Sequence, residues 1–560
     1  MKRILVISWD GATWDVLKPL VSRGLMPNLS TFMQKSFVSE LESIIPPVTA
    51  AAWTSFMTGK NPSKHGIFDF RGFDSCSRQD YIANHSFCKS QTIWEILSQN
   101  KKRSIVLNLP FLFPCSSSKN IIVYGFDVPS SKSRFASSEE IDREIRNKWP
   151  CYYPALRLFN CELSRNDSWV KGYIDSAIDS ISLREEVALY FGLKKEWDML
   201  LVHFQELDYI QHFIWSRIQR VLNNEKEVLT EKIFQFFREL DNKFGKLINT
   251  FHDEETVIML MSDHGFGSNP GTVFPNVILK NRGYLFQNSS SKSLQKWLEE
   301  KIIVFRERSA YFIFRKQRPL FLLIKHIVEF FGLLKHSLFP VSIPSLWIES
   351  QKKSLSIRDL NVDWSKTIAI TAMGDTYGFV YINPEQAKDS VTYNKILERL
   401  KVLFLNSKES RSNKHIFKKA LTFKEAYNTE KQDSTCPDLI LIPQPGLSIF
   451  IDITARSFYD RGSTEGYHRT NGILAASGSQ IKNTHFASLP KLIDIFPTIL
   501  YLFNIDIPYD IDSSPIVDIF SKRIQYKISL RDSQKEPVRT VYSPQDAAEI
   551  SQRLKSLGYL

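Results

Sequence analysis

Acidic residues and histidines collect at the ends of short apolar runs in this chain. Residues 4–9 run into Asp10-Gly11, residues 199–204 approach Asp208, and residues 256–262 run into Asp263-His264-Gly265. A single Asp in such a place reads as a turn or helix-cap residue. Three of them become informative if the runs are parallel strands of one sheet, because open α/β sheets bind ligands at the carboxyl ends of their strands. Asp208 and His212 stand four residues apart and would share one face of a helix beginning there, where two ligands could meet one metal. Asp263-His264 supplies adjacent oxygen and nitrogen donors, a mixture suited to zinc or manganese rather than calcium or magnesium. His468, in Gly466-Tyr467-His468-Arg469-Thr470-Asn471-Gly472, precedes a further strand candidate and could reach the same edge, although alone it reads as a structural loop histidine.

Thr49 is the candidate nucleophile. It lies in Pro46-Pro47-Val48-Thr49-Ala50-Ala51-Ala52-Trp53, where two prolines stop one element and Ala-rich sequence starts a helix that Gly59 ends. Its plain reading is an N-cap. Helix N-terminal amides also bind phosphate, and a metal-bound Thr hydroxyl can lose its proton and attack phosphorus.

The elements that must position these residues follow from the pattern. Apolar runs at 3–9, 103–109, 121–126, 199–204 and 256–262, with a late one at 472–477, alternate with helical spacing at 93–99, 173–191 and 231–251. The spacing predicts an α/β fold, a doubly wound, mostly parallel sheet with helices on both faces. Residues 275–453 have another texture. A Ser run at Ser289–Ser291, basic helical stretches around Trp297 and at 320–338, and β-rich stretches at 366–383 and 437–453 around a helical segment at 393–404 predict an inserted α+β cap with a small sheet of its own. The expected organisation is a catalytic core at 1–274 and 454–520, the cap at 275–453, and an extension at 521–560 ending in a helix that Ser543-Pro544 begins.

Composition excludes some classes. With 43% hydrophobic and 24% charged residues over 560 positions, the chain is neither disordered nor fibrous, and no solenoid repeat is present. The first apolar run is too short for a signal peptide, and 320–338 is interrupted by Lys325, Glu329 and Lys335, so the expectation is a soluble, cytoplasmic protein. Six cysteines at irregular spacings fit a reducing compartment. A net charge of +12 favours anionic partners without choosing among them.

Taken in order, Asp10, Thr49, Asp208-x-x-x-His212, Asp263-His264 and His468 resemble the alkaline phosphatase superfamily, in particular its type I phosphodiesterase and nucleotide pyrophosphatase-like branch. The resemblance extends through Thr58-Gly59-Lys60-Asn61-Pro62-Ser63-Lys64-His65-Gly66-Ile67, Tyr124-Gly125-Phe126-Asp127-Val128-Pro129 and Asp494-Ile495-Phe496-Pro497-Thr498. It implies two divalent metal ions, zinc at both sites with manganese as the alternative. Asp208, His212 and His468 would hold one, and Asp10, Asp263 and His264 the other, with Thr49 bridging toward phosphorus. It further implies a phospho-Thr49 intermediate. Two departures matter. Ala52 stands where nucleotide pyrophosphatases of this family carry Asn, and Gln211 replaces the usual Gly before the metal-binding His, so nucleotide specificity does not carry over. Sulfatases need Cys or Ser followed by Pro and Arg, which Thr49-Ala50-Ala51-Ala52-Trp53 lacks.

The expected activity is metal-dependent hydrolysis of a phosphate ester, a diester first, with an anionic phosphate-ester substrate as partner. The same site would serve a phosphotransferase or mutase that passes the phosphoryl group to an alcohol. A non-catalytic scaffold, held peripherally on anionic membrane by 320–338, is the remaining alternative. Specific nucleic-acid binding is not expected, and nothing in the sequence sets the oligomeric state.

Overall fold

A computed structural model describes residues 3–115, 119–156, 166–288, 356–410, 412–455, 457–461, 465–483, 489–522 and 525–557. Its centre is a seven-stranded sheet in the order Phe37–Glu42, Asn471–Ser477, Thr256–Met261, Arg3–Trp9, Met199–Phe204, Ser104–Leu107, Ile121–Val123. The last five of these are mutually parallel. Asn471–Ser477 runs antiparallel to both of its neighbours, so Phe37–Glu42 again points with the other five.

The apolar runs account for this arrangement. Met199–Phe204 and Thr256–Met261 are buried at every position, as parallel strands covered on both faces must be. Two helix groups provide the cover. Asp167–Lys194 packs with Thr230–Phe251, and Ile495–Leu502 packs with Thr49–Thr58 and Ile93–Gln99. The Thr230–Phe251 helix buries Ile233, Phe236, Phe237, Leu240, Phe244 and Leu247, a spacing that keeps one face toward the sheet.

A second, antiparallel sheet runs Ala369–Gly374, Gly378–Ile382, Leu439–Pro443, Phe417–Thr422, with the helix Ser390–Leu405 packed on it. It has its own apolar core, into which Phe68 and Phe73 reach from the first part of the chain. The strand Phe417–Thr422 was not anticipated, because exposed Lys418 and Lys419 interrupt its apolar pattern. Lysines on an edge strand discourage pairing with other chains. The basic stretches around Trp297 and at 320–338, and the Ser289–Ser291 run, lie outside the described residues. Among the described residues, no helix is long and apolar enough to cross a membrane. The last helix, Pro544–Leu557, is capped by Ser543 Oγ, which accepts from Asp546 N at 3.1 Å, and anchors Ile550 and Leu554 in the main core.

Candidate metal centre and nucleophile

Three neighbouring parallel strands bring the acids to one edge. Asp10 follows Arg3–Trp9, Asp263 follows Thr256–Met261, and Asp208 lies in the first turn of the helix Glu206–Leu222 that leaves Met199–Phe204. The turn after Asp10 needs glycine. Gly11 has φ +64°, and a Cβ there would stand 3.0 Å from Phe266 Cδ2 and 3.1 Å from Asp208 Oδ1. The turn is held from both sides. Gly11 N donates to Asp263 Oδ1 at 3.4 Å, and Gln211 Nε2 donates to the Gly11 carbonyl at 2.8 Å. Gln211 therefore has a structural task.

His468 arrives through a local antiparallel pair. Gly466–Arg469 aligns with Gly265–Ser268 so that His468 faces Phe266. The imidazoles of His264 and His468 consequently stack at 3.8 Å between ring centroids. His212, one helical turn beyond Asp208, places its Nε2 3.5 Å from Asp208 Oδ1 and 3.0 Å from His468 Nε2. His468 Nε2 is 3.4 Å from the same Asp208 oxygen. Two overlapping ligand groups result, Asp208, His264 and His468, and Asp10, Asp263 and His264, with the donor atoms of each group all within 4.8 Å of one another. His264 stands in both.

Thr49 enters from the opposite element. Val48 is the extended N-cap, Thr49 is the first helical residue, and Gly59 closes the helix with φ 66°. Thr49 is fully buried, with Oγ1 3.3 Å from His264 Nε2. The same helix carries Trp53, whose indole Nε1 donates to Asp10 Oδ2 at 2.9 Å. All seven residues singled out in the sequence thus lie in one buried cluster at the strand ends.

The electrostatics of the cluster call for cations. Burial, followed by the charges of Asp10 and Asp208, pushes the Asp263 carboxyl well above the usual range. Burial also pulls His212, His264 and His468 down to about 3, so all three are neutral imidazoles at ordinary pH. His264 Nδ1 donates to the Gly265 carbonyl at 3.0 Å, which leaves Nε2 as the lone-pair nitrogen facing Asp10, Asp263 and Thr49. Among the described residues neither Asp10 nor Asp263 has a Lys or Arg partner, and Asp10 Oδ1 and Asp263 Oδ2 accept no hydrogen bond. Buried carboxyl oxygens in that condition are costly unless they are protonated or a metal takes them. Carboxylate oxygens mixed with neutral imidazole nitrogens form a donor set for zinc or a similar transition metal.

Several participants were not apparent from the sequence. His203 lies inside the strand Met199–Phe204, fully buried, with Ser8 Oγ 2.9 Å from Nδ1, Gln205 Oε1 2.8 Å from Nε2 and Asp10 Oδ2 3.4 Å away. Its one signal is a histidine inside an otherwise apolar run. Trp53 reads as helix core until its N–H is seen to reach Asp10.

Residues 4–469 match the family model described as type I phosphodiesterase / nucleotide pyrophosphatase. No curated protein matches the chain. Among solved structures, phosphonoacetate hydrolase from Sinorhizobium meliloti 1021, in complex with phosphonoformate, is 12% identical with a TM-score of 0.50, over 88% of this chain and 94% of that one. Human ectonucleotide pyrophosphatase / phosphodiesterase 5 is also 12% identical, with a TM-score of 0.47 over 93% of this chain and 100% of that one. At this identity the likeness to the phosphonoacetate hydrolase is one of fold.

Proposed function

The chain belongs to the type I phosphodiesterase / nucleotide pyrophosphatase family and is a phosphohydrolase, and on that premise we propose that it cleaves a phosphate diester with Thr49 as nucleophile at a two-metal site, zinc at both positions. The observation that carries this reading is the Thr49 hydroxyl, buried at a helix N-terminus 3.3 Å from His264 Nε2 and facing a cluster of three carboxylates and three imidazoles. Asp208, His212 and His468 would hold one cation, and Asp10, Asp263 and His264 the other. When bound, two such cations supply Lewis-acid chemistry, acidifying a hydroxyl and offsetting charge on phosphoryl oxygens.

The protein's own groups do the rest. The first turn of Thr49–Thr58 presents backbone N–H groups and a positive dipole end to the phosphoryl oxygens. Thr49 Oγ1 forms a bond to phosphorus while the bond to the leaving alcohol breaks. The hydroxyl proton goes to water, and the departing alkoxide takes a proton from water. Water then attacks the phosphorylated Thr49, releasing a monoester and restoring the hydroxyl. Trp53 and Gly11 keep Asp10 and Asp263 in register for this cycle.

The test compares hydrolysis of bis(4-nitrophenyl) phosphate and 4-nitrophenyl phosphate by protein loaded with zinc or manganese, with Thr49→Ala as control. Faster cleavage of the diester, absent in the variant, supports the proposal. Undiminished activity in Thr49→Ala, or a protein that binds no metal, would remove it. Including glycerol separates hydrolysis from transfer, since a phosphorylated glycerol product would reassign the site to phosphotransfer.

A further inference from the structure

A second set of acidic side chains stands one tyrosine away from the metal centre. The tip of the hairpin between Ala369–Gly374 and Gly378–Ile382 carries Asp375 and Thr376, both nine-tenths buried. Asp375 Oδ1 accepts from the Tyr467 hydroxyl. The Tyr467 ring in turn lies 5.7 Å from His468 and 6.2 Å from His212, centroid to centroid. The hairpin is fixed in place, since Ile449 N donates to the Asp375 carbonyl at 2.7 Å and Tyr377 reaches Thr470. Two of its buried polar atoms are unsatisfied. Among the described residues Asp375 Oδ2 and Thr376 Oγ1 have no hydrogen-bond partner. Asp69, buried and in a different segment, adds another carboxyl, with Oδ1 accepting from Phe70 N.

The charges acting on Asp375 are of one sign. Burial first of all drives the Asp375 carboxyl well above the usual range, Asp69 and Asp208 add to it, and among the described residues no Lys or Arg acts on it. Burial lifts Asp69 to about 7, against the hydrogen bond from Phe70 N and then the charge of Arg71. Among the described residues, neither Asp375 nor Asp69 belongs to a three-ligand group that could hold a metal. Buried carboxyls of this kind are stable either protonated or beside a cation that donates hydrogen bonds. An ammonium group has three donors and no acceptor. Among the described residues Asp375 Oδ2 and Thr376 Oγ1 are acceptors without a donor, and Asp69 is a further carboxyl close enough to act on Asp375.

We propose that Asp375, Thr376 and Asp69 form a substrate subsite for a protonated amine, so that the preferred substrate is an aminoalkyl ester of phosphate whose phosphoryl group lies at Thr49. This rests on the phosphohydrolase reading of the metal centre. It makes Asp375 a specificity-determining residue, supplied by the second sheet to a site otherwise built on the first. The basic overall charge of the chain would not have suggested a cationic group on the substrate.

The test compares kcat/KM for 2-aminoethyl, 2-hydroxyethyl and ethyl 4-nitrophenyl phosphates on the metal-loaded full chain. The aminoethyl ester should exceed the ethyl ester by on the order of tenfold, as charge-assisted hydrogen bonds allow. In Asp375→Asn that ratio should fall close to one. Asp69→Asn, in another segment, is the second variant should the hairpin substitution unsettle the fold, and it should lower the same ratio. A ratio unchanged by both variants overturns the proposal, as does a hydroxyethyl ester favoured as strongly as the aminoethyl one. Calorimetric binding of O-phosphoethanolamine and ethyl phosphate to metal-loaded Thr49→Ala protein gives a readout independent of turnover. Tighter binding of the amine, lost when Asp375→Asn is added, supports the subsite even if no aryl ester is cleaved. Equal binding of the two overturns it. A third metal equivalent that Asp375→Asn abolishes would assign the carboxyls to an inorganic cation and overturn it as well.

Discussion

Trp53→Phe isolates one hydrogen bond that decides how Asp10 meets a metal. The indole N–H holds Asp10 Oδ2 at 2.9 Å, while Oδ1 accepts no hydrogen bond among the described residues and lies 3.5 Å from His264 Nε2. The bond therefore fixes which carboxylate oxygen faces the ligand cluster. Phenylalanine keeps an aromatic ring between Phe56 and His203, which Trp53 meets edge-on at 5.5 Å and 5.0 Å, but has nothing to donate. Loss of a group that orients a metal ligand costs about 10- to 100-fold in metal affinity, or about 1.4 to 2.7 kcal/mol. The metal-free protein should lose about 1 to 3 kcal/mol of stability as well, because a buried carboxylate oxygen loses its indole donor while His203 Nε2 stays 3.4 Å away. Competition of zinc between the protein and a chelator of known affinity measures the first effect, and urea unfolding of the chelated protein measures the second. Unchanged zinc affinity combined with reduced stability would show that Trp53 is core alone and would refute its part in orienting Asp10.

Other perturbations bear on separate parts of the fold. Gly11→Ala puts a methyl 3.1 Å from Asp208 Oδ1 in a left-handed conformation, costing about 1 to 2 kcal/mol from backbone alone. Zinc binding should weaken with it, and a variant that melts and binds as wild type would contradict the close approach. Arg184 and Glu206 form a buried pair, Nε to Oε1 at 2.5 Å, so Arg184→Met should cost about 3 to 5 kcal/mol. The double variant with Glu206→Leu should cost less than the sum of the single changes, as denaturant unfolding of all four proteins will show. His65 is held at about 3 by burial and then by Lys60, below its ordinary 6.5. The unfolded chain therefore binds a proton that the folded protein refuses. Stability is complete above pH 6.5 and falls as pH drops toward 3, by about 2 kcal/mol between pH 6.5 and 5. In His65→Asn, which keeps an acceptor for Ile67 N, this part of the acid limb should flatten.

The central strands were legible because burial on both faces leaves a continuous apolar run. Arg3–Trp9 and Met199–Phe204 carry the bounds their sequence predicts. The edge strands Phe37–Glu42 and Phe417–Thr422 were not, since one side of an edge strand tolerates Glu and Lys and the run is broken. Asp10, Asp208, Asp263 and His264 could be found as acids and imidazoles ending or following those runs. What surrounds them depends on contacts across long stretches of chain. Trp53 reaching Asp10 and Asp375 reaching Tyr467 bridge residues that no local pattern connects. His203, inside a strand, was hidden by the apolar residues around it.

The most direct test of Thr49 as nucleophile is to quench the zinc-loaded protein in acid during turnover of an aryl phosphate ester and map modified peptides by mass spectrometry. A phosphoryl group on Thr49 that appears with the burst of aryl alcohol and disappears as substrate is exhausted is the predicted result. Steady hydrolysis with Thr49 unmodified at every quench time, and undiminished in Thr49→Ala, would contradict it.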